Sequence, residues 1–389
     1  MIVTLPSEIG MREKLPILNR PLRVLHIISG DLWAGAESQA FTLLKHLNTS
    51  TALHVVVMND GELSHRLRNL NIPVTVISES ELSSFKILTR LVTVIKNFKP
   101  NIIHTHRQKE NILGSFANIL AAIPFKKRAA SVRTAHGAPE FEARGKQRIQ
   151  VCLDNWAGKY LQQAIIAVSE ELAGNLKNIF PAEKIHVIHN GVDPEALQAQ
   201  ATPADFLKNA PDYKHVGIIG RIEPVKRVDI FIDMANLLMK DKALTQKLKF
   251  HIIGDGSLRA VMEDKITQLE LDDHLYFHGH RTDIASCVKS LDFIVMCSDH
   301  EGTPMTALES LALGTALVAH RTGGLKEILA GSTALLVEPN TPDRYAHKIQ
   351  QLLLAPVSVQ LNEKFLASEN ARRTLSTYEH LTSPGNVHA

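Results

Sequence analysis

The chain has 389 residues, more than one hydrophobic core usually organises, so two domains are expected. Its 43 basic and 40 acidic side chains nearly balance, which argues against a nucleic-acid-binding protein. Three widely spaced cysteines predict neither a disulfide framework nor a zinc site and fit a reducing compartment. The first twenty residues lack a signal-peptide pattern, and no segment reaches the roughly 18 apolar residues of a spanning helix. We therefore expect a cytoplasmic protein.

Short β-branched runs alternate with helical patterns along the first half of the chain. Near-continuous apolar strands separated by amphipathic helices predict a parallel sheet covered on both faces. The predicted strands are Arg23–Ser29, Leu53–Met58, Val74–Ile77, Ile102–His104, Ala129–Thr134 and Ala164–Val168, with helices that include Ala36–Leu47 and Ser84–Phe98.

The alternation pauses at Pro194–Pro211, which we interpret as an interdomain linker, and then resumes. The second set comprises strands Lys214–Ile219, Lys249–Ile253, Leu275–Phe277, Phe293–Cys297, Ala316–Ala319 and Ala334–Val337 with helices Val228–Lys240, Met305–Leu313 and Asp343–Leu354, followed by a charged helical stretch at Ser358–His380. The fold class is therefore α/β, with two doubly wound, Rossmann-like domains. The predicted units are an N-terminal extension (1–21), a first domain (22–195), a second domain (196–357) and a C-terminal helix with a polar tail (358–389).

Doubly wound sheets bind ligands at the carboxyl ends of their strands, so functional residues are expected directly after strands. The most informative such segment begins at Ser298 and continues Asp-His-Glu301-Gly302-Thr303-Pro304-Met305-Thr306-Ala-Leu-Glu309. Thr303 is predicted to cap the following helix, with Pro304 at its first position. The free amides of that helix start suit a phosphate. Glu301 could accept hydrogen bonds from sugar hydroxyls, and Glu309 from both hydroxyls of a ribose.

The Glu-x7-Glu spacing resembles that of the family 4 retaining glycosyltransferases, which have the GT-B fold of two domains facing across a cleft. The resemblance covers residues 22 to 355. Further motifs that match are Gly220-Arg221…Lys226, Gly254-Asp-Gly256…Arg259, Phe277-His-Gly279 and Thr322-Gly323-Gly324…Glu327 in the second half, with Gly35-Ala-Glu37, His104-Thr-His106, Ser169-Glu170 and His189-Asn190-Gly191 in the first.

Arg221 and Lys226 follow a strand and lie five residues apart. A guanidinium can bind two phosphate oxygens while an ammonium adds a point charge, so the pair could stabilise a leaving nucleoside diphosphate. This arrangement needs no metal, and we expect neither a metal nor another cofactor. In the resembled family these two positions have that role.

Other positions take their expected roles from the resemblance. The loop at Gly35 lies beside the donor phosphate and the acceptor in the family, although Ala34 replaces a usual glycine; an ordinary strand-to-helix turn remains open. The turn at Gly254 borders the base, and Arg259 either contacts the nucleotide or is simply solvated. The histidine corresponding to His136 faces the donor sugar. His104 and His106 are interpreted as cleft-lining or structural residues rather than metal ligands.

These observations predict a retaining transferase that moves a sugar from a nucleoside-diphosphate sugar, UDP- or GDP-linked, to a glycan or lipid-linked acceptor in polysaccharide or glycolipid synthesis. The predicted catalytic residues are Glu301, Arg221, Lys226 and His136, and the predicted donor-binding residues are Gly35, Gly254, Arg259, Gly302, Thr303, Pro304, Met305, Thr306 and Glu309. A GT-B sugar-nucleotide epimerase and a non-catalytic nucleotide-sugar-binding protein are the alternatives.

A membrane contact at the inner surface is a further hypothesis. The helix Ser84–Phe98 and Lys99 after it carry basic residues beside an apolar face, and Lys126-Lys127-Arg128 and Arg144-Gly-Lys146-Gln-Arg148 are also basic. Such a surface could meet anionic lipid if the acceptor is lipid-linked, but an ordinary packed helix with a solvated face is the favoured explanation of Ser84–Phe98.

Overall fold

The computed structural model describes residues 21–30, 33, 35–123, 127–137, 145–209, 212–241 and 247–383. The predicted N-terminal extension lies outside these residues apart from Pro21, as do Ala34, Lys126 and Arg144.

The first domain is a parallel sheet covered by helices. Its elements are β1 Arg23–Ile28, α1 Gly35–Leu47, β2 Ala52–Val57, α2 Glu62–Asn69, β3 Val74–Val76, α3 Ser84–Phe98, β4 Ile102–Thr105, α4 Gln108–Ala121, β5 Ala130–Ala135, α5 Lys146–Tyr160, β6 Ala164–Ala167, α6 Glu170–Leu176 and β7 Ile185–Val187. The strand order is β3-β2-β1-β4-β5-β6-β7, and every pairing is parallel. The order reverses between β1 and β4, which is the switch point of a doubly wound sheet.

The second domain repeats this architecture. Its elements are α7 Pro194–Gln200, β8 Lys214–Ile219, α8 Val228–Met239, β9 Leu248–Ile253, α9 Arg259–Gln268, β10 Leu275–Gly279, α10 Ile284–Ser290, β11 Phe293–Met296, α11 Met305–Leu313, β12 Ala316–His320, α12 Gly323–Ile328, β13 Leu336–Val337, α13 Pro342–Leu354 and, at the C-terminal end of the chain, α14 Ala367–Thr382. The parallel order β10-β9-β8-β11-β12-β13 places the switch point between β8 and β11. The predicted fold class is confirmed.

The strands form because their residues are buried on both faces. All four residues of β4, of β6 and of β11 are buried, as expected for apolar runs between two helical layers. One core occupies the second domain, and separate clusters fill the two faces of the first sheet.

Within the segment interpreted as a linker, Pro194–Pro211, the described residues 194–209 are largely helical. Asp193 caps α7 by accepting a hydrogen bond from the amide of Ala196, and Pro194 occupies the first turn, where proline is favoured. A 3-10 turn follows at Asp205–Asn209, and its Phe206 belongs to the core of the second domain. The described part of this segment is therefore mostly helical, and its interpretation as an interdomain linker stays a prediction.

Two other predicted elements begin two or more residues later than expected. A 3-10 turn at Thr333–Leu335 replaces the first half of the strand expected at Ala334–Val337. The C-terminal helix α14 begins at Ala367 rather than Ser358, because the chain pairs with Val192 there. The amide of Val192 donates to the carbonyl of Phe365 at 3.0 Å, and the amide of Ala367 donates back at 2.8 Å.

Helix α14 returns to the first domain. It packs along α1, and its Tyr378 is fully buried in the core that lies against β1 and β2. The C-terminal end of the chain therefore contributes side chains to the interior of the first domain.

Helix α3 packs through its apolar face, with Ile87, Leu91 and Ile95 buried against the first sheet and α4. Its basic residues lie on the exposed side. Among the described helices, none has the length and apolarity needed to cross a bilayer.

Candidate active site between the two sheets

The candidate site lies where the carboxyl ends of β8 and β11 face those of β5, β6 and β7. Both β8 and β11 border the switch point of the second sheet, where doubly wound folds leave a crevice for ligands. The loops that follow these two strands carry the predicted residues Arg221, Lys226 and Glu301.

Lys226 and Glu301 form an ion pair at the centre of the site. The Lys226 Nζ lies 2.7 Å from Glu301 Oε1, and the side chains retain 24% and 9% of their exposure. Because the pair is mostly shielded from water, its electrostatic interactions are stronger than those of a surface pair. The arrangement places a cation and a hydrogen-bond acceptor side by side at one strand edge.

Backbone contacts hold the two loops together. The amide of Asp299 donates to the carbonyl of Val225 at 2.9 Å, which joins the loop after β11 to the 3-10 turn Pro224–Lys226. A pocket between these loops is lined by Arg221, Lys226 and Ser298, among others. Arg221, which is exposed, therefore lies beside Lys226 as the spacing predicted.

The start of α11 differs from the prediction in two respects. Thr303 does not cap the helix, because its hydroxyl donates to the carbonyl of Val168 in the first domain. Pro304 is the residue before the helix, which begins at Met305. The first amides of an α-helix have no partner within it, so Met305 and Thr306 still offer donors and the positive end of the helix dipole.

The same loop contacts the first domain. A Cβ added to Gly302 would lie 2.2 Å from the carbonyl oxygen of His136, so only glycine permits this approach. Asn190, after β7, donates to the carbonyl of Thr303 at 2.8 Å. Met305 lies close to Gly35, since a Cβ added there would be 3.8 Å from its Cγ. Glu301, Lys226, Arg221 and the residues of this loop thus share one crevice with the first domain.

Gly323 and Gly324 pack against the backbone of the loop after β11. The sequence motif contained both glycines, but it did not predict this role. Cβ atoms added to Gly323 and Gly324 would lie 1.8 Å and 1.9 Å from the carbonyl oxygens of Glu301 and Gly302. The amide of Gly324 donates to the Gly302 carbonyl at 2.9 Å. This close approach fixes the backbone at Glu301, and the Gly-Gly pair was the signal for it.

Glu309 lies in the second turn of α11 and is partly buried. Burial raises the pKa of its carboxyl group to about 7. No described residue forms an ion pair or hydrogen bond with it that would stabilise the charge, which makes it suited to accept hydrogen bonds from a ligand.

His136 follows β5, and its Nε2 lies 3.2 Å from the Nδ1 of His106. Burial, and secondarily the charge of Arg107, lower the pKa of His136 to about 4. Its Nδ1 is buried and has no hydrogen-bond partner among the described residues. The imidazole is therefore neutral at physiological pH.

The turn at Gly254 lies against the loop after β8, where a Cβ on Gly254 would be 1.9 Å from the Gly220 carbonyl oxygen. The ion pairs of Arg259 are with residues other than Glu301. It pairs with Asp255 at 3.0 Å and with Glu263 at 2.8 Å.

Sequence reasoning gave no structural role to Glu327, which bridges the domains. Its carboxylate lies 2.6 Å from His189 Nε2 and accepts a hydrogen bond of 2.9 Å from the amide of Glu170 at the start of α6. The neighbouring Lys326 pairs with Glu171 at 2.8 Å. These contacts hold α12 against α6, beside the crevice.

Two family models match the chain, one after the other. Residues 33–196 match the model described as Glycosyltransferase Family 4, and residues 203–374 match that described as Glycosyl transferases group 1. A curated relative from Escherichia coli, UDP-Gal:alpha-D-GlcNAc-diphosphoundecaprenol alpha-1,3-galactosyltransferase, is 26% identical over 84% of this chain and 87% of its own. Poly(ribitol-phosphate) alpha-N-acetylglucosaminyltransferase of Staphylococcus aureus is 28% identical over 49% of this chain and 36% of its own.

Solved structures show the same fold. HepE of Anabaena, in complex with UDP, matches with a TM-score of 0.71 at 20% identity over 94% of this chain and 97% of its own. A glycosyltransferase from Rickettsia africae matches with a TM-score of 0.74 at 18% identity over 94% of this chain and 100% of its own.

Proposed function

Because this chain belongs to the family 4, group 1 glycosyltransferases, we propose that it transfers a sugar from a UDP-sugar to a hydroxyl of a lipid-linked glycan, with retention of configuration. The observation that carries the proposal is the Lys226–Glu301 pair beside Arg221 and the start of α11, in a crevice shared with the first domain.

The donor fits this crevice by charge. Arg221, Lys226 and the first amides of α11 would bind the diphosphate, because a charge-assisted hydrogen bond contributes about 1.5–3 kcal/mol. Glu301 would orient the sugar, and Glu309 would accept hydrogen bonds from the ribose. UDP is preferred over GDP because the Escherichia coli relative is named for UDP-Gal and HepE was solved with UDP.

The reaction breaks the bond between the anomeric carbon and the β-phosphate oxygen and forms a bond from the acceptor oxygen on the same face. The acceptor proton passes to the departing phosphate. Positive charge at Lys226 and Arg221 stabilises the phosphate as it leaves, which is worth more in a shielded site than in water. The ion pair with Glu301 fixes the ammonium in position before the donor binds.

A lipid-linked acceptor is supported by the relative that acts on a diphosphoundecaprenol-linked sugar. It is also supported by an exposed apolar stripe on α5, formed by Ile149, Leu153, Trp156 and Tyr160. Their exposed fractions are 63%, 40%, 44% and 60%.

The stripe suits an anionic membrane surface. Leu120 and Ile123 at the end of α4 are also exposed, and the basic residues Lys127, Arg128 and Lys159 are exposed as well. Apolar side chains with basic neighbours are typical of surfaces that insert shallowly into anionic bilayers. The apolar face of α3 is packed against the domain, so we propose the α5 stripe as the apolar part of the contact.

Transfer of radiolabelled sugar from UDP-sugars to a polyprenyl-diphosphate-linked glycan tests the proposal. Wild type should incorporate label, and Lys226→Ala should reduce the rate at least a hundredfold, because it removes the cation beside the phosphate and unpairs Glu301. Lys214→Ala is the matched control: Lys214 pairs with Asp292 at 2.7 Å at the opposite end of β8 and should not affect transfer.

Three results would contradict the proposal. Equal loss in both lysine variants would mean that Lys226 acts through stability alone. Turnover of the donor without acceptor would indicate an epimerase, and UDP-sugar binding without turnover would indicate a binding protein. The anomeric coupling constant of the product, measured by NMR, tests retention.

Leu153→Glu combined with Trp156→Glu tests the membrane contact. The double variant should lose co-flotation with anionic vesicles but keep its activity on a water-soluble acceptor. Flotation equal to that of wild type would exclude the α5 stripe as the contact surface.

A further inference from the structure

A chain of hydrogen-bonded imidazoles extends from His136 into the first domain. The Nε2 of His136 lies 3.2 Å from the Nδ1 of His106, and the Nε2 of His106 lies 3.2 Å from the Nδ1 of His26. His26 lies on β1 and His106 follows β4, so neighbouring strands of the parallel sheet supply successive rings.

The inner end of this hydrogen-bonded row of imidazoles contacts the C-terminal helix α14. The hydroxyl of Tyr378, on α14, lies 3.4 Å from His26 Nε2 and 2.5 Å from the Nδ1 of His104. The Nε2 of His104 lies 2.7 Å from Thr134 Oγ1. These hydrogen bonds connect the last helix of the chain to the crevice between the domains.

All four rings are neutral. Burial lowers the pKa of His26 to about 3 and that of His136 to about 4, and it lowers the pKa values of His104 and His106 well below their ordinary range. After burial, the positive charge of Arg107 contributes to lowering the pKa values of His136 and His106, the two rings nearest the crevice. Arg107 itself pairs with the buried Glu37.

A neutral imidazole has one N–H, so each ring donates through one nitrogen and accepts through the other. The direction of one hydrogen bond therefore fixes the direction of the whole chain. The buried Nδ1 of His136 has no hydrogen-bond partner among the described residues, and a buried N–H without a partner is rare, so the proton of His136 is placed on Nε2. In this direction the Tyr378 hydroxyl donates to His104 Nδ1, and His104 Nε2–H donates to Thr134. The Tyr378 oxygen then accepts from His26 Nε2–H, at the longer distance of 3.4 Å.

Following this direction outwards, His26 Nδ1 accepts from His106 Nε2–H, and His106 Nδ1 accepts from His136 Nε2–H. We propose that Tyr378, His26 and His106 are positioning residues that hold the proton of His136 on Nε2 and leave its Nδ1 as a hydrogen-bond acceptor for a hydroxyl of the bound substrate. The hydrogen bond from the substrate to His136 Nδ1 rests on the proposed function, because it requires a sugar substrate beside His136.

A metal ion would compete for the ring nitrogens that form these hydrogen bonds. His26, His104 and His106 bring ligand atoms within 4.8 Å of one another. However, both nitrogens of each of these rings already have a hydrogen-bond partner, which a cation would have to displace. The hydrogen-bonded chain therefore accounts for all three residues.

The tautomer of His136 can be read directly by 1H–15N NMR of protein labelled in its histidine rings, with the His136 signals assigned by their loss in His136→Gln. Wild type should show the Nε2–H form. Tyr378→Phe removes the hydroxyl that accepts from His26 Nε2–H, so the Nδ1–H form of His136 should appear beside the Nε2–H form.

Tyr345→Phe is the matched control. Tyr345 is a buried tyrosine of the second domain, and its hydroxyl donates to Asn340 Oδ1 at 2.8 Å. The control loses the same atom from a buried site and should leave His136 in its wild-type form. An Nδ1–H form in wild type, or an unchanged tautomer in Tyr378→Phe, would overturn the proposal.

This measurement needs no substrate, so its failure is distinguishable from failure of the proposed transferase activity. In the transfer assay, Tyr378→Phe should lower kcat about fivefold, the equivalent of one neutral hydrogen bond, whereas Tyr345→Phe should change it less than twofold. A changed tautomer with an unchanged kcat would overturn the role in catalysis.

Discussion

Replacing Glu309 with glutamine removes one ionisable group from the second turn of α11 with little change in size. The variant tests whether the carboxylate is kept at a cost to stability because it binds the nucleotide. Burial raises the pKa of Glu309 to about 7 in the folded protein, from an ordinary value of 4.5.

The sign of the pH dependence follows from linkage. Between pH 4.5 and 7 the unfolded chain releases the Glu309 proton while the folded protein retains it, so folding stability falls as pH rises through this range. At 1.36 kcal/mol per pKa unit the loss of folding free energy is at most about 3.4 kcal/mol, and remaining solvent contact reduces it to roughly 1–2 kcal/mol. Glu309→Gln lacks this loss.

Urea denaturation at pH 4.5 and pH 8 measures the effect on stability. At pH 4.5 the unfolding free energy of the variant should equal that of wild type. At pH 8 it should be higher than that of wild type by roughly 1–2 kcal/mol. An identical difference in unfolding free energy between the two proteins at both pH values would show that Glu309 acts through packing alone, because packing does not depend on its ionisation.

Calorimetric titration with UDP measures the function of the carboxylate. UDP should bind the variant roughly 10- to 100-fold more weakly at pH 8, because charged hydrogen bonds to the ribose are lost. The ratio of the two affinities should shrink at pH 6, where Glu309 is mostly protonated in wild type. The phosphate of UDP also titrates near pH 6, but it affects both proteins equally. Equal UDP affinities at pH 8 would remove Glu309 from the site.

Two further predictions concern the contact between the domains. Gly302→Ala should lower transfer at least tenfold, because its Cβ would lie 2.2 Å from the His136 carbonyl oxygen; Gly174→Ala, where no atom lies within 4 Å, is the control, and equal rates in wild type and Gly302→Ala would contradict the close approach. Glu327→Gln should destabilise the protein by about 1–3 kcal/mol in urea denaturation, because it weakens the 2.6 Å contact with His189; a variant as stable as wild type would show that this bridge contributes nothing.

The sequence was sufficient for the architecture and for part of the site. Apolar strands between helices predict parallel sheets whatever their tertiary contacts, because burial on both faces determines which residues they contain. Lys226 and Glu301 follow β8 and β11, which are neighbours in a doubly wound sheet, so their proximity follows from the strand order alone.

What the sequence could not predict depends on partners distant along the chain. Thr303 before Pro304 has the local pattern of a helix cap, but Val168 in the other domain accepts its hydroxyl. His26 is one position in a buried strand, and its role appears only when His106 and Tyr378 lie beside it. Tertiary contacts overrode the local signal at Thr303, and no local signal existed at His26.

We propose that the loops after β8 and β11 bind the diphosphate of a nucleotide sugar. Calorimetric titration of UDP and of uridine into wild type and Lys226→Ala separates the contribution of the diphosphate from that of the nucleoside. Wild type should bind UDP at least 100-fold more tightly than uridine, and Lys226→Ala should lose at least tenfold of that preference while binding uridine as wild type does. A wild-type protein that binds UDP and uridine with equal affinity would exclude a diphosphate site at these loops.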